Sequence, residues 1–270
     1  TFRNCFDNGY DKTYSQVVRR YVDNGTGKQN SELISQIYNV LREGYRNEYY
    51  YKNTLLNKLL LGIHSVNTTT ALTEIPIAKS KADFVLINGK AVVYEIKTEL
   101  DNFDRLENQI NDYYKAFDHV AVVTCKENLQ VLKKKIEMIG KPVGIYILQK
   151  RGTITTIQKP QAYSVELDAE ILFKILRKQE YEEILFNKYK HLPDVSEFKY
   201  YSECKKMFLE IPLEEAYLSV LKLLKKRSQI IKDEFSKIPY ELKFLAYFMN
   251  LKSDDYKKIT KFLNESYGGV

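Results

Sequence analysis

Two acids and a lysine, Asp83, Glu95 and Lys97, stand in residues 81–99, which read KADFVLINGKAVVYEIKTE. These types suit phosphodiester hydrolysis. Carboxylates hold a divalent cation, and the cation neutralises the scissile phosphate and activates a water against it. A lysine beside the metal orients or deprotonates that water and stabilises developing charge. Apolar runs at 84–87 and 91–94 flank the three residues, and unneutralised charge buried among them would cost roughly several kcal/mol. A divalent cation is the natural compensation, and the carbonyl of Ile96 lies between two members of the set. The competing reading is a surface ion pair worth about 0–1 kcal/mol, against which the apolar flanks speak.

The elements that must position these groups follow from pattern. Asn88-Gly89 between two apolar runs is a strong hairpin signal. Alternation along the second strand puts Glu95 and Lys97 on one face and Tyr94 and Ile96 on the other. Upstream, Asn47 reads as the N-cap and Gly62 as the stop of a helix enclosing EYYYKNTLLNKLLL. At 100° per residue, Glu48, Lys52, Leu55 and Leu59 fall within about 60° of one another, so Glu48 continues the apolar stripe. It is either a first-turn charge favoured by the helix dipole or an inward-pointing ligand, and helix geometry leaves both open. Downstream, residues 105–117 have helical periodicity, with Leu106, Gln109, Tyr113 and Ala116 on one face. The amide and the phenol thus project toward the sheet, either as functional groups or as a pair satisfied within the core.

The pattern of Asp83, eleven intervening residues, then Glu95-Ile96-Lys97 on consecutive strands resembles the PD-(D/E)XK nuclease superfamily, with Ala82 in place of the usual proline. Glu48 on the preceding helix, Thr98 after the lysine and the Gln109/Tyr113 pair, similar to a Q-x-x-x-Y motif, extend the likeness to the RecB-like and phage-exonuclease-like branches over residues 45–125. The resemblance implies a restriction-endonuclease-like α/β core, a central mixed sheet flanked by helices. It implies that Glu48, Asp83, Glu95 and the Ile96 carbonyl hold Mg²⁺ or Mn²⁺, that Lys97 handles the water, and that Gln109 and Tyr113 orient site and backbone. The expected activity is that of a metal-dependent nuclease, on DNA ahead of RNA. The alternatives are an RNA-cleaving member and a catalytically silent nuclease fold that binds nucleic acid or protein.

Around that core the chain reads as three parts: amino-terminal helices at 1–44, the α/β core at 45–159 and an all-helical region at 160–270. Strands are expected at 72–78, in the hairpin, and at 119–125, 143–148 and 153–159. After Pro160 helices are expected at 168–190, 201–210, 213–237, 239–250 and 253–266, separated by Pro193, Pro212 and Pro239. That last region is a candidate surface for a protein partner. Lys+Arg 42 against Asp+Glu 35 gives +7 and a pI near 9.0, which favours a polyanionic partner such as nucleic acid. The basic runs at 133–135 and 222–227 read as solvated helix faces. Cys5, Cys125 and Cys204 are odd in number and lack a CxxC pair, as reduced thiols do. His64, His119 and His191 have no zinc-like spacing. No apolar run reaches the ~20 residues of a membrane span, and the polar amino end shows no signal peptide, so the cytoplasm is expected. No Walker-type glycine loop is present.

Overall fold

Turn chemistry and alternation build the sheet. In the computed structural model, which describes residues 2–8, 11–44, 46–62, 68–228 and 230–268, six strands form one sheet in sequence order. They are β1 (Thr70–Ile77), β2 (Ser80–Asn88), β3 (Lys90–Ile96), β4 (His119–Thr124), β5 (Gly144–Leu148) and β6 (Ile154–Gln158). The first three form an antiparallel meander. β3, β4 and β5 run parallel, and β6 returns antiparallel as an exposed edge. The parallel steps need crossovers, supplied by α5 (Leu106–Tyr113) and α6 (Leu129–Ile139). β4 is buried along its whole length, as its almost wholly apolar sequence requires.

The remaining helices in chain order are α1 (Phe2–Asn8), α2 (Lys12–Tyr21), α3 (Asn30–Glu43) and α4 (Glu48–Leu55), then α7 (Ala169–Lys174), α8 (Lys178–Tyr189), α9 (Glu197–Leu209), α10 (Leu213–Lys225), α11 (Lys232–Ser236), α12 (Lys243–Phe248) and α13 (Ser253–Asn264). The chain is therefore α/β, a mixed six-stranded sheet flanked by helices with a helical carboxyl-terminal region. The finer restriction-endonuclease-like arrangement does not follow from these strands. No helix among the described residues is long and apolar enough to cross a membrane. His64 and the residues around it lie outside those described.

Two compact units emerge. One comprises Thr1–Ile63, Lys150–Thr153 and Gln229–Val270, the other His64–Gln149 and Ile154–Ser228. In the second, Val85, Val93, Val120 and Val122 of the sheet share one core with Leu172, Phe173, Phe208, Val220 and Leu224 from α7, α9 and α10.

Several local details differ from the pattern-based expectation. Asn88 pairs opposite Lys90 with Gly89 alone at the tip at φ +72°, a left-handed geometry that glycine adopts without a Cβ clash. Continued down the ladder, this register sets Asp83 opposite Glu95. The helix expected between Asn47 and Gly62 is α-helical only to Leu55, and Leu56–Leu61 form a π-helical turn. Two long helices are interrupted, at 175–177 between α7 and α8 and again after Lys225. One interaction serves both breaks. Arg227, just past α10, donates to the Ile175 carbonyl at 2.7 Å and to both carboxylate oxygens of Glu180 in α8.

Candidate functional site

Glu95 lies near the end of β3 on the face that α5 covers. There it is 2% exposed and meets three side chains. Lys97 Nζ donates to Glu95 Oε1 and to Gln109 Oε1, each at 2.9 Å. Gln109 Nε2 donates to Glu95 Oε1 at 2.5 Å, and Tyr113 Oη to Glu95 Oε2 at 2.5 Å. The Gln109 amide has one orientation that serves both neighbours, its NH₂ toward the carboxylate and its oxygen toward the ammonium. Residues 109 and 113 reach the same carboxylate because i and i+4 share a helix face.

The Tyr113 hydroxyl also lies 3.0 Å from the Lys81 carbonyl. A phenol carries one proton, so the two acceptors compete for it, and the charged one is the stronger. Burial first, and then the Glu95 charge, push the Tyr113 hydroxyl far above the usual phenol range. It stays a donor at every ordinary pH.

The other predicted residues are placed differently. Asp83, on β2, accepts the Ile96 N–H through Oδ2 at 2.8 Å, so it grips the backbone of β3. Ile96 is buried and pairs with Val123 of β4. Glu48 belongs to the other unit. It opens α4, its carboxylate is 57% exposed, and it pairs with Lys52 Nζ at 2.6 Å. The cap of that helix is Asn47, whose side chain accepts from Tyr50 N at 3.0 Å.

The geometry bears directly on metal binding. A carboxylate offers about four lone-pair positions, and three of those on Glu95 already receive protein hydrogens inside the core. A cation there would have to displace them. The set Glu95, Lys97, Gln109 and Tyr113 is closed on itself and does not fit a metal as it stands.

Sequence reasoning overlooked Asp112. This residue receives Lys79 N at 3.2 Å and Ser80 Oγ at 2.8 Å on Oδ2, and Lys115 Nζ at 2.8 Å on Oδ1, which ties α5 to the β1–β2 turn. Burial raises the Asp112 carboxyl, but hydrogen bonds from Lys115 and Ser80 outweigh it and leave it below the usual range. The signal was available: an acid in the last turn opposes the helix dipole and so implies partners from outside the helix. Beyond β3, Thr98 donates to Asp101 from both its N–H and its hydroxyl at 2.7 Å, and its carbonyl accepts from Asn128 at 3.1 Å. These bonds fix the backbone that follows Lys97.

Comparison with known proteins gives a consistent picture. A family model for bacteriophage P4 protein cII matches residues 42–244, more than half of the chain. Protein cII of Enterobacteria phage P4 is 24% identical over 143 residues, which cover 51% of this chain and 49% of that protein. The chain thus spans about half the length of the curated relative it matches. No solved structure matches the chain. The family match overturns the identification with the PD-(D/E)XK superfamily. With it fall the metal-dependent nuclease of DNA or RNA, the Mg²⁺-dependent hydrolase activity and the silent nuclease fold. The physical lesson is that an acid-acid-lysine pattern on an apolar hairpin is short, and a buried polar lock satisfies the same pattern.

Proposed function

The chain belongs to the family of bacteriophage P4 protein cII, and from that premise we propose that it is a phage regulatory protein that works by binding, without turnover. The observation that supports this reading is the closure of Glu95. A reacting carboxylate must present a lone pair to metal, water or substrate, whereas this one is enclosed by Lys97, Gln109 and Tyr113. The cluster's work is then mechanical, pinning α5 to β3. Cys5, Cys125 and Cys204 are buried and form no disulfide among the described residues, which supports action in a reducing compartment such as the cytoplasm.

The test is incubation of the full chain with labelled linear and circular DNA and with RNA, in Mg²⁺, Mn²⁺ or EDTA. Intact nucleic acid in every arm, with one melting temperature across all three, is the expected result. Metal-dependent cleavage that disappears in Lys97→Ala would overturn the reading.

A further inference from the structure

Beside the Glu95 cluster, within the same unit, an open groove of about 980 Å³ runs between the β1–β2 turn, α5 and α7. Its walls carry five cations, Lys79, Lys81, Arg105, Lys115 and Lys174, against a single acid, Asp112. That acid already receives three protein donors, from Lys79 N, Ser80 and Lys115. Lys81 and Lys174 each have one glutamate, Glu74 at 2.7 Å and Glu170 at 3.9 Å. Lys79 and Arg105 are exposed and have no ion-pair partner within 4 Å among the described residues. The cations come from separate elements yet face one channel, so their clustering is a product of the fold and not of a lysine run.

We propose that this groove binds the sugar–phosphate backbone of a nucleic acid. The proposal rests on the reading of the chain as a binding protein and names what that protein takes. Two features favour phosphates over an acidic peptide. The side-chain amides of Asn108 and Asn111 stand between the cations, donors of the kind that phosphate and sugar oxygens use beside lysine and arginine. Ala78 and Ile171 are the apolar side chains of the lining, too few to form the pocket for buried side-chain anchors on which peptide recognition depends. Binding to phosphates needs no such anchor, because its free energy comes from counterion release.

The experiment is fluorescence anisotropy on the full chain with labelled mixed-sequence duplex DNA, single-stranded DNA and duplex RNA, titrated at several salt concentrations. A Lys79→Glu/Arg105→Glu variant is compared with the parent chain and with Lys133→Glu/Lys134→Glu on α6. All four side chains are exposed, and far-UV circular dichroism and melting confirm the fold of each variant. Lys174→Ala serves as a second groove variant should the first not fold. Reversal in the groove is expected to weaken binding about ten-fold or more and to lower the slope of log K against log salt by about one for each phosphate no longer neutralised. The α6 variant should stay within about two-fold of the parent. Equal weakening in both variants, weakening only in the α6 variant, or preference for a labelled polyglutamate over all three nucleic acids would each overturn the groove assignment. A denaturing gel of the recovered probe separates the two ideas. Cut probe defeats the reading of binding without turnover, while intact probe with groove-independent affinity defeats only the groove.

Discussion

Removing either charge of the Glu95–Lys97 pair leaves the other in the core with neutral partners alone. Lys97 is 9% exposed, so water offers little relief, and breaking such a pair costs about 3–5 kcal/mol. Glu95→Gln and Lys97→Met should each lower the urea midpoint accordingly. The double variant should lose clearly less than the sum, because neither charge is then stranded. Additive losses would show that the two groups are not coupled. Tyr113→Phe leaves Glu95 Oε2 without its donor and should cost about 1–3 kcal/mol, measured by the same unfolding curves. Sequence alone brought out all four members of this cluster, since period two on a strand and period four on a helix fix which side chains share a face. What it could not supply was their mutual distance. Whether an acid and a lysine two residues apart open onto solvent or close on each other depends on how tightly α5 sits on the sheet.

Between elements, the pairing of Arg227 with Glu180 carries the clearest pH signature. Burial raises the Glu180 carboxyl, but the hydrogen bond from Arg227 outweighs it, and the group stands below the usual carboxylate range. Its native form therefore binds a proton less tightly than its unfolded form. At neutral pH both forms are ionised and the contribution is complete. As pH falls through the ordinary glutamate value near 4.3, the unfolded chain takes up the proton first and the contribution is lost toward the lower native value. Glu180→Gln should thus flatten the acid limb of stability below about pH 4.3, read from urea midpoints across pH. Where β5 begins beside β4, with Gly144 opposite Ala121, a Cβ on Gly144 would lie 2.6 Å from Pro160 Cδ and 3.1 Å from Ala121 Cβ. Gly144→Ala should cost about 1–3 kcal/mol by overpacking, visible as a lower melting temperature. The six strands were legible from apolar runs bounded by turn residues. The breaks between α7 and α8 and after α10 were not, because residues far apart in sequence, Arg227 with Ile175 and Glu180, impose them.

At the scale of the second unit, helices α7 to α10 and the sheet bury one apolar core. Ending the chain at residue 159 would strip Leu172, Phe173, Phe208, Val220 and Leu224 from it and expose the sheet's inner face. Such a fragment should fail to give a cooperative unfolding transition, tested by thermal denaturation beside the full chain; a sharp transition would show that the sheet stands alone. The sequence by itself determined the α/β class, the six strands, the helical carboxyl-terminal region and the faces on which Glu95, Lys97, Gln109 and Tyr113 lie, because each follows from local periodicity. Tertiary structure decided that residues 169–225 share the core of the sheet and that Glu95 is enclosed. It also decided that Lys79, Arg105 and Lys174 face one groove. Each depends on which separate elements meet, 14 and 18 residues apart for the helix groups around Glu95 and much farther for the groove and the shared core, and packing between elements is beyond the reach of any local pattern.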